Sequence, residues 1–309
     1  MKCEPSIQKN LYGHKLLFNN LIDLYKREKL PNKILLSGEK GIGKSTLAYH
    51  LINFVLSESE EYSYDLNNNQ INENNRSFKL IFNKSNPNFN LIDVSKDKKN
   101  IDINQIRELI ISLNKSSFNM KKRFVLIDNI EFLNENSSNS LLKILEEPND
   151  NIIFILIHNN KRVLPTIKSR CLNFKVFLTY RETIEITNKI LNADIFSLIN
   201  SDLIDNYTTP GKLKSIVQFS EEQKINLKDL NLKNFLLNII KNKIYKKENS
   251  INGFIYSYME LYFRKNTSIK ENNLINVYDD FIKKINNTKI YNLDQESLFM
   301  EFEDRVLNG

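Results

Sequence analysis

The feature that most constrains the fold of this sequence is a glycine-rich stretch, GEKGIGKST, at residues 38–46. It follows the short apolar run KILLSG (33–38), which is typical of a buried strand, and it leads into KSTLAYHLINFVL (44–56), which is compatible with a helix. The pattern G-x-x-x-x-G-K-[ST] between a strand and a helix indicates a loop that binds phosphate groups. Three of the seven glycines of this chain fall in the stretch. We therefore interpret it as a nucleotide site and not as an ordinary turn.

Each residue type in this loop has a chemical reason to be there. Gly38 and Gly43 let backbone N–H groups point at phosphate oxygens, and the following helix adds the positive end of its dipole. Lys44 is expected to reach the β- and γ-phosphates of ATP, and the Ser45 hydroxyl is expected to ligate Mg²⁺. The residues predicted to bind the nucleotide here are Gly38, Glu39, Lys40, Gly41, Ile42, Gly43, Lys44, Ser45 and Thr46.

A second stretch, FVLIDNIEFLN (124–134), predicts a buried strand that ends at Asp128. Asp128 is expected to hold Mg²⁺ beside Ser45. The next residue is Asn129, whose amide can hydrogen-bond a water molecule but has no useful basicity. Glu131 could substitute as a base, but beyond the end of the strand it is expected to face solvent or to begin the next loop. The sequence therefore argues against efficient ATP hydrolysis by this chain on its own.

Apolar runs alternate with helical patterns up to about residue 177. The further predicted strands are FKLIF (78–82), NLIDV (90–94) and NIIFILIHN (151–159), and the predicted helices between them are DINQIRELIISLNK (102–115) and SNSLLKILEEP (138–148). Strands that are apolar throughout and alternate with helices predict an α/β fold, with a parallel sheet covered on both faces. The polar, asparagine-rich stretch 57–77 is expected to be a mobile insertion.

The sequence after residue 178 predicts helices. In LKNFLLNIIKNKI (232–244) one apolar stripe contains Leu232, Phe235, Leu236, Ile239 and Ile240. In NLINVYDDFIKKI (273–285) the stripe contains Leu274, Val277, Tyr278, Phe281, Ile282 and Ile285. Such stripes predict packed helices.

Composition excludes several classes of protein. No run approaches the roughly 18 apolar residues of a membrane span, and the N-terminal residues lack the apolar core of a secretory signal. Cys3, Cys171 and three scattered histidines show no metal-ligand spacing, so no zinc site is expected. We therefore expect a cytoplasmic protein. The net charge of +7 is compatible with a nucleic-acid partner without requiring one.

Several motifs in a fixed order resemble the AAA+ clamp-loader family. They are LYGHKLLFNNL (11–21), NPNFNLIDV (86–94), INQIREL (103–109), NSLLKILEEP (139–148) and LPTIKSRC (164–171). The resemblance covers residues 11 to about 175 and is weak in the helical C-terminal part. It implies a AAA+ P-loop NTPase domain over 1–177, a small helical lid over 178–223, and an all-α C-terminal collar over 224–309 that serves oligomerisation.

The resemblance also implies partners. Members of this family join other clamp-loader subunits in a hetero-pentamer that places the ring-shaped sliding clamp on primed DNA, and they grip DNA through its phosphates. The basic cluster Lys121, Lys122 and Arg123 is the clearest candidate for a phosphate contact, but a solvated turn is the more ordinary interpretation of such a cluster. The four-cysteine zinc module of many relatives is missing from residues 57–77.

Individual site residues follow from the same resemblance. Arg170 in LPTIKSRC corresponds to an arginine finger that acts in trans on ATP bound by the neighbouring subunit; the alternative is a surface or interface arginine that pairs with a carboxylate. Asn159 lies where the family places a sensor of the γ-phosphate. Lys212 in TTPGKL lies near the position of a second sensor, although the sequence favours a solvated lysine there. Two alternatives stay open: an autonomous AAA+ ATPase of the motor clamp-loader or helicase-loader type, and a non-catalytic scaffold with a dead nucleotide site.

Overall fold

The central layer of the fold is a five-stranded parallel sheet. The computed structural model describes residues 4–95, 98–114, 121–146, 151–160, 163–246, 251–266, 272–291 and 293–308. The strands are β1 (Lys33–Ser37), β2 (Phe89–Ile92), β3 (Arg123–Ile127), β4 (Ile152–His158) and β5 (Leu172–Lys175). They are ordered β2-β3-β4-β1-β5, and all neighbouring pairs are parallel.

Thirteen α-helices lie in the described ranges. They are α1 (Lys15–Lys26), α2 (Lys44–Leu56), α3 (Arg76–Phe82), α4 (Ile103–Asn114), α5 (Glu135–Glu146), α6 (Pro165–Arg170), α7 (Tyr180–Leu191), α8 (Ile195–Leu198), α9 (Pro210–Gln223), α10 (Leu232–Lys241), α11 (Ile251–Asn266), α12 (Asn272–Tyr291) and α13 (Gln295–Phe302). No described helix is both long enough and apolar enough to cross a membrane. The end of the predicted helix 138–148, at residues 147 and 148, lies outside the described residues.

Both faces of the sheet are covered, as the continuous apolar strands predict. Every residue of β3 and β4 is buried. Alternate residues of one strand enter different cores: Leu36 belongs to the core that contains α1 and α2, whereas Leu35 belongs to the core that contains α4 and α5. This alternation follows from the two-residue period of a strand. It places β1, as part of the sheet, in the middle layer of three, between two helical layers.

The stretch 57–77 is folded, so the prediction of a mobile insertion is wrong. Asn75 and Tyr64 are buried against α2. The amide of Asn53 on α2 donates to Asn75 Oδ1 at 3.1 Å, and a nitrogen of the His50 ring lies 2.7 Å from the hydroxyl of Tyr64. Buried asparagines are costly unless their amides are hydrogen-bonded, and here α2 supplies the partner.

Residues 78–82 form most of helix α3, so the prediction of a strand there is also wrong. The side chain of Asn75 accepts a hydrogen bond from the backbone N–H of Phe78, which caps the helix at its N-terminus. Ile81 is buried while Phe82 is 55% exposed, the one-sided burial of a surface helix. An apolar run of five residues fits a strand or a helix equally well, and the asparagine cap decides between them here.

The basic cluster before β3 is partly a structural feature. Arg123 is buried, and its guanidinium donates to the carbonyl oxygens of Leu113 and Ser112 at the end of α4, at 3.0 and 2.8 Å. Lys121 donates to the carbonyl oxygen of Leu56 at 3.0 Å. These two cations therefore join helix ends to the sheet instead of forming a solvated turn.

The chain forms two compact units. One contains Met1–Ile186 together with Thr209–Lys212, and the other contains Thr187–Thr208 and Leu213–Gly309. In the second unit the predicted stripe of α10 is confirmed, because all five of its apolar residues are buried. On α12, Phe281 and Ile285 are buried as predicted, while the side chain of Leu274 lies outside the described part. The three-part division at residues 177 and 223 stays a prediction.

Candidate functional site

The candidate site lies at the carboxyl ends of β1, β3 and β4. These strands are neighbours in the order β3-β4-β1, so the loops that follow them converge at one edge of the sheet. The loop after β1 is the glycine-rich stretch. Gly41 and Gly43 have φ angles of +82° and +100°, a left-handed conformation that favours glycine. The glycine of the pattern at position 43 therefore follows from backbone geometry, and Gly41, at a position that the pattern leaves open, meets the same requirement.

Lys44 spans this loop from its buried position at the start of α2. Only 3% of its surface is exposed, and its ammonium donates to the carbonyl oxygens of Gly38 and Glu39 at 2.8 and 2.6 Å. Burial lowers the pKa of Lys44 to about 8, against the opposing attraction of Asp128, Glu131 and Glu39. A buried cation whose hydrogen-bond partners are neutral carbonyls fits an anionic ligand, because an anion would offset the cost of desolvation.

Ser45 and Asp128 meet at the end of β3, as the sequence predicts. The Ser45 hydroxyl donates to Asp128 Oδ2 at 2.5 Å, and the backbone N–H of Asn129 donates to Asp128 Oδ1 at 2.8 Å. Burial raises the pKa of the Asp128 carboxyl, and the hydrogen bond from Ser45 opposes that rise. A hydroxyl and a carboxylate side by side are the hard oxygen donors that Mg²⁺ prefers, so the donor set fits this ion.

Asn159, at the end of β4, forms hydrogen bonds with Asn129 and Glu131, which both come shortly after Asp128 in the sequence. Its side-chain amide donates to Asn129 Oδ1 at 2.8 Å and to Glu131 Oε1 at 2.9 Å. Glu131 lies in the short turn that begins directly after β3, which agrees with one of the two expectations for it, and its side chain is half-buried. Asn129 has a φ of +58°, and this left-handed residue turns the chain sharply before the short helical turn Ile130–Phe132 that carries Glu131.

The segment Thr209–Lys212 packs directly on the loop, a contact that the sequence did not predict. The backbone N–H of Gly211 donates to the carbonyl oxygen of Gly41 at 2.9 Å, and the Thr209 hydroxyl donates to the carbonyl oxygen of Lys40 at 2.9 Å. A methyl group added at Gly211 would lie 2.6 Å from Gly41 Cα. Lys212 lies near Glu39, with Nζ 3.9 Å from Oε2, and its side chain is 42% exposed, which agrees with the solvated lysine that the sequence favours.

His14 covers the other end of the loop and was also missed. Its Nε2 lies 2.7 Å from the carbonyl oxygen of Ile42, and burial lowers its pKa. A Cβ at Gly43 would lie 3.6 Å from the same nitrogen. The left-handed φ of +55° at His14, directly before α1, directs the ring to this place. The motif LYGHKLLFNNL could have suggested this role, because Gly13 and His14 form the turn that directly precedes α1.

Arg170 lies at the end of α6, in the same unit. Its Nη2 donates to Glu146 Oε1 on α5 at 2.5 Å, and its Nη1 donates to the carbonyl oxygen of Thr166 at 3.0 Å. About a third of the side chain is exposed. Burial raises the pKa of the neighbouring Cys171 thiol to about 11, so this cysteine is a packing residue and not a reactive one.

The sheet order, the loop after β1 and the Ser45–Asp128 contact together define a P-loop protein of the α/β class. Residues 13–177, more than half of the chain, match the family model described as "DNA polymerase III, delta subunit". The chain belongs to this family. Every predicted site residue from Gly38 to Arg170 lies inside the matched region.

Individual relatives agree with this assignment. The chain is 30% identical over 146 residues to the DNA polymerase III subunit delta' of Pseudomonas aeruginosa, covering 47% of this chain and 43% of the relative. It is 23% identical to the delta' subunit of Buchnera aphidicola (subsp. Schizaphis graminum), covering 87% of this chain and 83% of the relative. It is 28% identical to the subunit gamma/tau of Mycoplasma genitalium, covering 74% of this chain and 38% of the relative.

The chain thus spans less than half the length of the Pseudomonas and Mycoplasma relatives. Among solved structures it is similar to a DNA polymerase III gamma subunit-related protein from Thermotoga maritima, with a TM-score of 0.52 and 16% identity, covering 92% of this chain and 97% of that one. This likeness supports the AAA+ fold. The family match and the delta' relatives make the chain a delta-prime-like member of the clamp-loader family.

Proposed function

We propose that this chain is a delta-prime-type subunit of a bacterial DNA polymerase III clamp loader. It joins other clamp-loader subunits in a hetero-pentamer, and the complex places the sliding clamp on primed DNA, which it holds through phosphates. The observation that carries the proposal is the family match over residues 13–177, because it includes the intact loop, Asp128, Asn159 and Arg170. We expect the protein to act in the cytoplasm.

The subunit binds ATP with Mg²⁺ in this proposal. The loop from Gly38 to Thr46 holds the phosphates, Lys44 supplies positive charge, and Asn159 lies where the γ-phosphate would be sensed. Ser45 and Asp128 would hold the metal ion, which supplies charge neutralisation between the phosphates. The support comes from the buried cation of Lys44 and from the 2.5 Å contact of Ser45 with Asp128. Both argue against a scaffold with a dead site.

Arg170 serves the neighbouring subunit in this proposal. It lies at the end of a surface helix, held by one exposed carboxylate and one carbonyl oxygen, so its guanidinium can exchange partners at little cost. A planar guanidinium with several donors suits a transferring phosphoryl group. The neighbour's ATP would then be the group that replaces Glu146.

A reconstitution experiment tests the function. The chain is mixed with the other subunits of its loader, and clamp transfer to primed circular DNA is measured with and without it. We expect transfer only when the chain is present, and co-elution of the chain with the other subunits. Transfer at full rate in its absence would contradict the proposal.

A titration of the purified chain with a fluorescent, non-hydrolysable ATP analogue tests the nucleotide part. We expect Mg²⁺-dependent binding that Lys44→Ala abolishes, while Lys26→Ala, which removes an exposed lysine at the end of α1, leaves it unchanged. Absence of binding by the unmodified chain would support the scaffold alternative.

A further inference from the structure

Glu131 is a carboxylate of this site that the sequence names only as a possible substitute base. It lies three residues after Asp128, on the short turn Ile130–Phe132. Asn159 Nδ2 donates to its Oε1 at 2.9 Å, and the backbone N–H of Asn159 lies 3.4 Å from its Oε2. Two contacts from one residue at the end of β4 fix the carboxylate at the edge of the sheet where the glycine-rich loop begins.

Asn129, which occupies the position directly after Asp128, is committed elsewhere. Its Oδ1 accepts a hydrogen bond from Asn159 at 2.8 Å, and its Nδ2 donates to Asp93 Oδ1 at 2.8 Å. An amide engaged on both sides is held rigidly, and it has no basicity to offer a water molecule. Asn129 is therefore a spacer that positions Asn159.

The charge of Glu131 acts on the same place as the nucleotide loop. Glu131 is among the carboxylates that attract the ammonium of Lys44, after Asp128 and before Glu39. Asp128 is held by the Ser45 hydroxyl, the contact that suits a metal ion. Among the described residues, only Asn159 donates hydrogen bonds to the Glu131 carboxylate, so this carboxylate is available to a water molecule.

We propose that Glu131 is the general base for ATP hydrolysis at this chain's own site. The inference rests on the proposed function, because it requires that ATP binds here. Glu131 takes a proton from a water molecule, and the water oxygen forms a bond to the γ-phosphorus. The bond from that phosphorus to the β–γ bridging oxygen breaks, and the electron pair leaves with ADP. Inorganic phosphate is the second product, and the proton passes from Glu131 to solvent.

Asn159 is a positioning residue in this scheme. It ties Glu131 to the end of β4, so that the carboxylate does not follow the turn into solvent. Asn129 and Glu131 then have different chemical roles. Asn129 positions Asn159, and Glu131 accepts the proton. Position 131 takes over the task that a carboxylate directly after Asp128 would perform.

The test uses the full chain with ATP labelled at the α-phosphate. Excess protein is mixed with ATP and Mg²⁺, and the bound nucleotide is extracted and identified by chromatography. We expect the unmodified chain to convert bound ATP to ADP. Glu131→Gln should retain ATP, with a rate at least about a hundredfold lower, which is the lower end of what a general base contributes. Glutamine keeps one acceptor oxygen for the side-chain amide of Asn159 and loses only the longer contact with the backbone N–H, so the base is removed with little change in geometry.

Two further variants and one binding measurement make the result specific. Glu135→Gln removes an exposed carboxylate at the start of α5 and should hydrolyse ATP at the unmodified rate. Glu131→Asp keeps the charge on a shorter side chain and should fall between the unmodified chain and Glu131→Gln. The affinity of Glu131→Gln for the fluorescent analogue should agree with that of the unmodified chain within about twofold, which shows that the variant is folded.

The outcomes separate the two proposals. If the unmodified chain binds no ATP, both the nucleotide part of the proposed function and this inference are overturned. If it binds ATP but does not hydrolyse it, or if Glu131→Gln hydrolyses it at the same rate, the inference about Glu131 fails alone. Retention of ATP by Glu131→Gln with unchanged affinity supports it.

Discussion

Arg170 and Glu146 form an ion pair between α6 and α5, with Nη2 2.5 Å from Oε1. The two side chains are 32% and 52% exposed, so the pair is screened by water and contributes less than about 1 kcal/mol to folding. The contact is therefore one that Arg170 can leave without cost to the fold. It also means that replacing Arg170 tests function and not stability.

Arg170→Ala should lower the ATPase rate of the assembled loader while leaving ATP binding by this chain unchanged. An arginine finger contributes about 10³–10⁵ in rate, so ATP hydrolysis at the site that receives it should nearly stop. The ATPase rate of the complex should fall by the contribution of that site. Steady-state ATPase of the complex and a nucleotide titration of the chain measure the two quantities. Arg181→Ala is the control, because Arg181 is an exposed arginine of α7 that pairs with Glu185 on the same helix. An unchanged ATPase rate in the Arg170→Ala complex would rule the finger out.

Gly211→Ala should destabilise the nucleotide-binding unit by about 1–3 kcal/mol, the usual cost of overpacking. The added methyl group would meet Gly41 Cα at 2.6 Å, and a backbone atom cannot move aside as a side chain does. Urea unfolding measures the change. Lys212→Ala, at the next position, removes only the exposed ion pair with Glu39 and should have little effect. Equal stability of the two variants would show that the loop yields easily at this contact.

Asn129→Ala should be less stable than Asn129→Gly by about 1 kcal/mol. Both variants lose the amide that joins Asp93 to Asn159, so the difference isolates the backbone. The φ of +58° is costly for alanine, by roughly 1–2 kcal/mol, and free of strain for glycine. Paired urea denaturation curves give the difference. If alanine proves the more stable of the two, the left-handed turn after β3 is not maintained.

Acid should weaken the fold through His50. Burial lowers its pKa to about 4 from the ordinary value of 6.5, so the folded state keeps the ring neutral while the unfolded state binds a proton. Stability is therefore complete above pH 6.5 and falls as the pH drops towards 4. The loss from this residue reaches about 2 kcal/mol by pH 5.

The measurement compares unfolding of the unmodified chain and of His50→Gln at pH 7.5 and pH 5. Glutamine does not titrate, so its stability should fall less between the two values. Parallel falls would show that other groups, and not His50, set the acid sensitivity.

The sequence predicted those parts of the site that a single local pattern determines. The loop after β1 needs glycines at defined positions, and a strand that is apolar up to Asp128 can end only at the same edge of the sheet. The Ser45–Asp128 contact followed from these two facts. The buried face of α10 likewise followed from helical periodicity.

The remaining features depend on contacts that no local pattern contains. The position of Glu131 depends on the left-handed turn at Asn129 and on an amide at the end of another strand. Helix α3 depends on the cap that Asn75 provides, and Asn75 is itself fixed by α2. The signal in both cases was an asparagine, a residue that tolerates positive φ and caps helices, in a chain rich enough in asparagine to hide it.

The approach of Gly41 to Gly211 has a consequence for how sequences of this kind can diverge. The two backbones touch, so neither position accepts a side chain while the other keeps its place. We expect the two glycines to vary together among close homologues, being lost as a pair wherever the 209–212 segment is displaced from the loop. A comparison of many sequences would then show covariation between two distant sites, although Gly41 by itself resembles a turn glycine and Gly211 a glycine in the first turn of a helix.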